Sequence, residues 1–211
     1  LISIKNLLKD KTNNIEHPIV IAVSKKFKMQ SILPLINFGH KHFGENQVQE
    51  AMEKWTDIKN DFKDIKLHML GKLQTNKVKY AINLFDYIHS LDNYKLAEKI
   101  SKEQNKFNKR IKIFIQVNIG NEKQKSGIQK ENLETFYNKC INDFNLDIIG
   151  LMCIPPNDID SNKFFLEMKI LAKNLGIKEL SMGMSNDYIN AVENGSTFIR
   201  LGTKIFGDRV N

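Results

Sequence analysis

The feature that most constrains the fold of this chain is a regular alternation between short apolar runs and segments with helical spacing. Alternating strands and helices predict a parallel sheet whose strands are joined by helical crossovers. The runs predicted to contain strands cover residues 19–26, 40–46, 67–72, 85–92, 111–120, 146–156, 178–184 and 196–207.

The number of units decides between the two common architectures of a parallel sheet. Eight strand-and-helix units within 211 residues, with no long linker between them, favour a closed (β/α)8 barrel of the TIM type over an open doubly wound sheet. An extra amino-terminal helix over 2–11 would fill the ring position next to the last strand, which no long helix follows. We therefore expect one α/β domain over 1–211.

Composition and cysteine usage indicate an ordinary globular protein. The hydrophobic residues make up 41% of the chain and the charged residues 27%, and no apolar run has the length of a membrane span. No signal peptide is recognisable, because lysines interrupt the opening residues. Cys140 and Cys153 show no metal-type spacing, so we expect two free thiols and a cytoplasmic location.

The formal net charge of +8 raises the hypothesis of a nucleic-acid binder. The lysines are spread along the whole chain rather than clustered on one arm, which is typical of a solvated surface. Such a surface would still attract small anions, including phosphorylated ones. We expect no specific nucleic-acid partner and no membrane partner.

The run 19–26 combines a buried strand with reactive side chains at its end. Its β-branched residues lead directly into Ser24, Lys25 and Lys26. A lysine at the edge of an apolar pocket has its charged form disfavoured, so its amine can act as a nucleophile towards aldehydes. Side-chain alternation puts Val23 and Lys25 on one face, but it does not decide which lysine reacts. The alternative is that both lysines only mark where the strand meets solvent.

The last two strand ends predict an anion site. In a barrel of this type the functional site lies at the carboxyl ends of the strands, and phosphate frequently binds after strands 7 and 8. The segment 183–186 leads into a helix, so its N–H groups and the Ser185 hydroxyl could hold phosphate oxygens. Gly202 would allow close backbone approach, and Thr203 adds a hydroxyl. A purely structural role as helix caps and a turn is compatible with this site.

Arg200 is expected to need a partner inside the predicted barrel. It lies on the last strand between Ile199 and Leu201 and points to the opposite face. A buried guanidinium must be paired, and the candidates are a carboxylate such as Glu45 or Asp92, an aromatic ring nitrogen, or a phosphate.

Other chemical motifs are weak or absent. His68 and His89 show no metal-ligand spacing and are interpreted as core or rim histidines, so no metal site is predicted. The sequence contains no P-loop and no dinucleotide-binding glycine motif.

Seven blocks of the sequence resemble the pyridoxal phosphate homeostasis proteins, also called the PLP-binding or proline synthase co-transcribed protein family. The resemblance runs in order through nearly the whole chain. The blocks are AVSK at 22–25, FGEN at 43–46, HMLGKLQTNK at 68–77, IHSLD at 88–92, QVNIGNEKQKSG at 116–127, GLMCIPP at 150–156, and LSMGMSNDYINAVENGSTFIRLGTKIFGDR at 180–209.

The resemblance implies a fold and part of a cofactor site. It implies a single (β/α)8 barrel similar to the amino-terminal domain of alanine racemase. By that resemblance Lys25 would hold pyridoxal 5'-phosphate (PLP) as an internal aldimine, although Lys26 replaces the threonine that is common after the cofactor lysine. Arg200 would face the pyridine nitrogen, and Asn46 would line the cofactor face.

The resemblance also implies a phosphate site and a function. Ser185, Gly202 and Thr203 would bind the PLP phosphate. An arginine beside the ring nitrogen keeps that nitrogen unprotonated and weakens PLP as an electron sink. We therefore expect a monomeric protein that acts in intracellular PLP, vitamin B6 and amino-acid homeostasis without strong turnover. Its expected partners are PLP and PLP-dependent apo-enzymes. The alternatives are a Schiff-base aldolase or racemase, and a basic nucleic-acid binder.

Overall fold

The described part of the chain forms a closed barrel of parallel strands. The computed structural model describes residues 1–12, 18–156 and 160–207. Each strand pairs with the next, and the last pairs with the first, which confirms the predicted (β/α)8 architecture. The strands are β1 (Ile19–Val23), β2 (His42–Glu45), β3 (Lys66–Met69), β4 (Tyr87–Leu91), β5 (Lys112–Gln116), β6 (Asp147–Met152), β7 (Glu179–Ser181) and β8 (Phe198–Leu201).

Helices surround the barrel, and all but the first and the last connect successive strands. They are α1 (Ile2–Thr12), α2 (Met29–Asn37), α3 (Val48–Asp61), α4 (Val78–Leu84), α5 (Tyr94–Phe107), α6 (Leu133–Asn142), α7 (Asn162–Asn174), α8 (Tyr188–Glu193) and α9 (Thr203–Phe206). No helix within the described ranges is long and apolar enough to cross a membrane.

The amino-terminal helix packs as predicted beside the last strand. Ile4 and Leu8 of α1 are buried against Val20 of β1, Tyr188 of α8 and Leu201 of β8. Each of these contacts removes apolar surface from water, which is the main force that holds a surface helix on a barrel. The helix α1 therefore covers the part of the ring next to the junction of β1 and β8.

The strands are shorter than the apolar runs that predicted them. The run 196–207 contains only four strand residues, Phe198–Leu201, and its second half forms the short helix α9. The run 146–156 likewise contains the strand Asp147–Met152. In the run 146–156 the apolar residues continue beyond the strand because Ile154 and the two prolines line the mouth of the barrel. In the run 196–207, Ile205 and Phe206 of α9 pack against the core. Residues 208–209, which close the last resemblance block, lie outside the described residues.

The core has two layers that differ in chemistry. Between the barrel and the helices, large side chains such as Phe43, Trp55 and Phe165 are fully buried. Inside the barrel, a smaller apolar cluster that includes Phe114 and Phe198 surrounds polar side chains from several strands. The interior is therefore a packed but partly polar core, and its polar groups need defined hydrogen-bond partners.

Candidate functional site

A cavity of about 860 Å³ opens at the carboxyl ends of the strands. Its position agrees with the general location of functional sites in this architecture. All the candidate cofactor residues line it, although they come from separate segments of the chain. These residues are Lys25, Asn46, Ser185, Arg200, Gly202 and Thr203.

The structure distinguishes the two lysines that follow β1. Lys25 is partly buried and lines the cavity. Lys26 is exposed and its backbone has a φ of 65°, so the chain turns sharply after Lys25. Lys26 is not part of the cavity lining. The geometry therefore favours Lys25 as the amine that faces a bound molecule.

A buried polar cluster fixes the backbone immediately before Lys25. The Ser24 hydroxyl donates to Glu45 Oε1 over 2.7 Å, and Trp55 Nε1 donates to the same oxygen over 3.0 Å. Lys54 Nζ lies 2.7 Å from Glu45 Oε1 and donates to the Ser24 carbonyl over 2.8 Å. The helix α3 thus holds the end of β1 in place from behind. Sequence reasoning missed Lys54, for which the only signal was its i, i+4 spacing from Glu50.

Two hydroxyl groups meet where the loops after β7 and β8 approach each other. Thr203 Oγ1 donates to Ser185 Oγ over 3.1 Å. A Cβ built on Gly202 would contact only Val23, at 3.7 Å and beyond, and the φ of Gly202 is −107°. Gly202 is therefore not required by backbone conformation, but the missing side chain leaves room beside the hydroxyl pair. Hydroxyls and open backbone are suitable ligands for a phosphate group.

Tight packing fixes the loop that carries Ser185. Gly183 has a φ of 91°, and a Cβ at this position would lie 2.6 Å from Ala191 Cβ, so only glycine fits. The Met184 N–H donates to Asp187 Oδ1 over 2.6 Å, and the Arg200 N–H donates to the Gly183 carbonyl over 3.0 Å. The loop is therefore held against β8.

Asn46 reaches the cavity from the end of β2. The loop after β3 passes so close to it that a Cβ on Gly71 would lie 2.2 Å from the Asn46 carbonyl oxygen. Only glycine allows this approach, and the contact fixes the backbone that presents the Asn46 side chain. Asn46 can offer both a donor and an acceptor to a ligand.

Arg200 is buried, and it pairs with no carboxylate among the residues that the structure describes. Its guanidinium donates to Ser181 Oγ and to the Cys153 carbonyl, each over 2.8 Å. Of the three alternatives that the sequence left open, the pairing with Glu45 or Asp92 is not formed. Glu45 points away from the barrel interior towards α3, and Asp92 accepts a hydrogen bond from the neighbouring Asn93 side chain. Burial lowers the pKa of Arg200, but an arginine stays protonated in proteins.

His68 and His89 are buried, as the interpretation of core histidines predicts. Among the described residues no group of three potential ligands could hold a metal ion. Sequence reasoning did not foresee that both imidazoles are connected through Ser181 to Arg200. No local pattern could reveal this, because Ser181 lies 92 residues from His89 in the chain.

The groups that line the cavity suit a phosphorylated aldehyde with an aromatic ring. It offers a lysine amine, two adjacent hydroxyls, a guanidinium and an open backbone at Gly202. Amines condense with aldehydes, and the other groups suit a phosphate and a ring nitrogen.

Comparison with known proteins decides the family. Residues 6–210 match the alanine racemase N-terminal domain family. The chain is 38% identical over 199 residues to the pyridoxal phosphate homeostasis protein of Aquifex aeolicus (strain VF5), which covers 90% of this chain and 86% of that protein. The chain belongs to the pyridoxal phosphate homeostasis protein family. The family predicted from the seven sequence blocks is thereby confirmed.

The solved structures that are similar to this chain include one protein in two states. PipY of Synechococcus elongatus PCC7942 with PLP bound has a TM-score of 0.86 at 33% identity, covering 96% of this chain and 99% of that chain. PipY without PLP has a TM-score of 0.89 at the same identity, covering 98% and 97%.

The barrel is also similar to that of a larger enzyme. Alanine racemase of Clostridium difficile 630 has a TM-score of 0.74 at 14% identity, covering 98% of this chain but 56% of that chain. At this identity the likeness concerns the fold alone. It agrees with the predicted similarity to the racemase amino-terminal domain.

Proposed function

We propose that this homeostasis family protein binds PLP in the cavity at the carboxyl ends of the strands and acts in intracellular PLP and amino-acid homeostasis without strong turnover. The observation that carries the proposal is the convergence of an amine, a hydroxyl pair and a guanidinium, from separate segments, on one cavity. The PLP-bound structure of PipY, 33% identical to this chain, supports the same cofactor.

We assign the aldehyde end of the cofactor to Lys25. The amine nitrogen would attack the aldehyde carbon, and loss of water would leave a C=N double bond between them. Bound PLP would supply an electrophilic aldehyde and an electron-withdrawing ring. The Arg200 guanidinium can donate a hydrogen bond to the ring nitrogen, but it does not transfer its proton, so the nitrogen stays unprotonated and the ring stays a weak electron sink. This favours storage over catalysis.

The phosphate end is assigned to the loops after β7 and β8. The Ser185 and Thr203 hydroxyls would donate to phosphate oxygens, and the space beside Gly202 would admit the group. Asn46 would contact the cofactor face from the other side of the cavity. Hydrogen bonds to a charged group are stronger than neutral ones, so these contacts would contribute much of the affinity.

Three further features are part of the proposal. The protein would act as a single-domain monomer, it would reside in the cytoplasm, and it would pass PLP to apo-enzymes. The two cysteines, Cys140 and Cys153, are free and buried, which suits a reducing compartment. Light scattering would measure the mass of the protein in solution, and cell fractionation would show its location. A transfer assay with an apo-enzyme would measure the delivery of PLP.

The test compares two neighbouring lysines. PLP is added to the wild type, to Lys25→Ala and to the matched control Lys26→Ala, the visible spectrum is recorded, and the samples are reduced with borohydride and mapped by peptide analysis. We expect wild type and Lys26→Ala to show the absorbance of a lysine adduct and label on Lys25. Lys25→Ala should lack both. A labelled wild-type peptide without Lys25 would contradict the assignment.

The second candidate function is amino-acid racemisation, because residues 6–210 match the alanine racemase N-terminal domain family. Steady turnover of a free amino acid by the PLP-loaded protein, lost in Lys25→Ala, would favour it. We expect no turnover above that of free PLP, measured as interconversion of alanine enantiomers.

A further inference from the structure

A row of hydrogen-bonded side chains crosses the barrel interior from its amino-terminal end to the cavity. It begins at His42, the first residue of β2, where His42 Nδ1 lies 3.0 Å from His68 Nε2. His68 Nδ1 lies 3.0 Å from His89 Nε2, and His89 Nδ1 lies 2.8 Å from Ser181 Oγ. We call these four residues the interior histidine row.

The cavity end of the row determines which atoms donate. Arg200 donates to Ser181 Oγ over 2.8 Å, and a guanidinium has no acceptor atom. The Ser181 hydroxyl proton therefore needs another partner. Within the described ranges the one remaining partner of Ser181 Oγ is His89 Nδ1. The hydroxyl must donate to that nitrogen, since the opposite order would leave its own proton buried without an acceptor.

This direction propagates along the row. A neutral imidazole has one donor and one acceptor nitrogen. His89 accepts at Nδ1, so its proton is on Nε2 and it donates to His68 Nδ1. By the same step His68 donates from Nε2 to His42 Nδ1, and His42 carries its proton on Nε2. One geometric fact at Arg200 thus sets the tautomer of three histidines.

The three imidazoles of the row are uncharged at neutral pH, as this order of protons requires. Burial holds the pKa of His68 and of His89 well below the usual range, and the Arg200 charge adds to this effect at His89. Burial also lowers the pKa of His42 to about 4. At neutral pH each ring therefore carries one proton.

Aromatic packing holds two of the rings in place. His68 stacks on Tyr87 with the ring centres 4.2 Å apart, and His89 stacks on Phe114 at 4.3 Å. Stacked rings cannot rotate freely, so their nitrogens stay aligned with the neighbouring groups.

We propose that the interior histidine row positions the Arg200 guanidinium at the cavity through a single directed series of hydrogen bonds, with His89 and Ser181 as positioning residues. With Ser181 and the Cys153 carbonyl as acceptors, the guanidinium has one fixed orientation, and its other donors have no partner among the described residues. The inferred positions of the protons do not depend on the proposed PLP function. Their consequence for the cofactor ring rests on that function.

The proton order is tested by ¹⁵N NMR of the protein without added PLP. We expect the Nε2–H tautomer for His42, His68 and His89. Ser181→Ala should convert His89 to a mixture of tautomers. Ser90→Ala is the matched control, because Ser90 adjoins His89 on β4, is equally buried, and has a hydroxyl with no partner among the described residues. An Nδ1–H tautomer at His89 in the wild type, or no change in Ser181→Ala, would overturn the proposal.

The consequence for the cofactor is tested by titration with PLP. His89→Phe keeps an aromatic ring for stacking on Phe114 but removes both nitrogens. We expect a shifted absorbance maximum and a roughly tenfold loss of PLP affinity, the size of one hydrogen bond to a charged group. His89→Asn, which can still accept from Ser181, should recover part of both, and Ser90→Ala should match the wild type.

The outcomes separate the two proposals. If the wild type does not bind PLP, the proposed function fails, while the tautomers measured by NMR still decide the proton order. If the wild type binds PLP and folded His89→Phe has an unchanged spectrum and affinity, the positioning role is wrong. Should circular dichroism show His89→Phe to be unfolded, Ser181→Ala is titrated in its place with the same expected shift and loss.

Discussion

At the scale of single residues, the contact between Ser185 and Thr203 lies at the end of the cavity that we propose binds the phosphate. Neither hydroxyl is deeply buried, and each belongs to a different loop. Their 3.1 Å hydrogen bond holds the two loops at one distance before any ligand arrives. Preorganised donors lose less entropy on binding. A phosphate therefore binds more tightly where both hydroxyls are already in place than where binding must bring them together.

The first prediction concerns the selectivity of these hydroxyls for phosphate. Thr203→Val and Ser185→Ala should each weaken PLP binding by roughly 10- to 100-fold, since each removes a hydrogen bond to a charged group. Binding of pyridoxal, which lacks the phosphate, should change little. The measurement is a spectroscopic titration with both ligands.

The matched control for this prediction is Thr56→Val, which removes an exposed threonine hydroxyl on α3 that bonds only within its own helix. An equal loss for PLP and pyridoxal in Thr203→Val would show that the hydroxyl does not recognise the phosphate.

At the scale of elements, the helix α3 supports the end of β1 that carries Lys25. Lys54 lies 87% buried at its side chain between fully buried Glu45 and the Ser24 carbonyl, while Glu50 accepts from its ammonium group at 2.9 Å. One lysine thus connects α3, the end of β1 and the end of β2. A shift of this helix would move the backbone of Lys25 relative to the cavity.

The second prediction is that Lys54→Met destabilises the fold and loosens the site. Removal of the ammonium leaves the Glu45 carboxylate buried without its cationic partner, which costs about 3–5 kcal/mol in comparable cases. Unfolding by denaturant would measure the loss. Lys102→Met is the matched control, since Lys102 also pairs with a glutamate at i, i+4 but is exposed, and it should behave like the wild type. Equal stability of the two variants would contradict this account.

Some elements of the site could be predicted from sequence and others could not. Lys25, Ser185 and Thr203 lie shortly after the ends of strands, so the order of elements was sufficient to bring them to one end of a barrel. The contact of His89 with Ser181 could not be predicted, because it depends on how β4 and β7 face each other across the closed interior. Lys54 was missed because helical spacing does not reveal which carboxylate lies beneath a helix.

At the scale of the whole molecule, buried histidines link stability to pH. Burial lowers the pKa of His40 and of His42 to about 4, against an ordinary value of 6.5. Between these values the unfolded chain binds protons that the folded chain excludes. The free energy of unfolding must therefore fall as the pH drops from about 6.5 towards 4.

The third prediction gives this effect a size. Each of the two histidines should contribute a loss of up to roughly 3 kcal/mol over that range. Fluorescence of Trp55, the one tryptophan of the chain, reports unfolding because its ring is fully buried. His40→Gln, whose amide can keep the hydrogen bond to the His42 carbonyl, should reduce the pH slope. A slope that is the same in His40→Gln and in the wild type would show that His40 is not titrating in this way.

The closed ring of strands has a consequence for how much of this protein a cell can hold. Among the described strands each one is paired on both sides, so none presents a free edge to another molecule. Strand-to-strand polymerisation, the common failure of crowded β-rich proteins, has no starting point there. A protein that stores PLP, as we propose for this one, must be present in amounts comparable to what it stores, and a barrel without free strand edges tolerates such abundance.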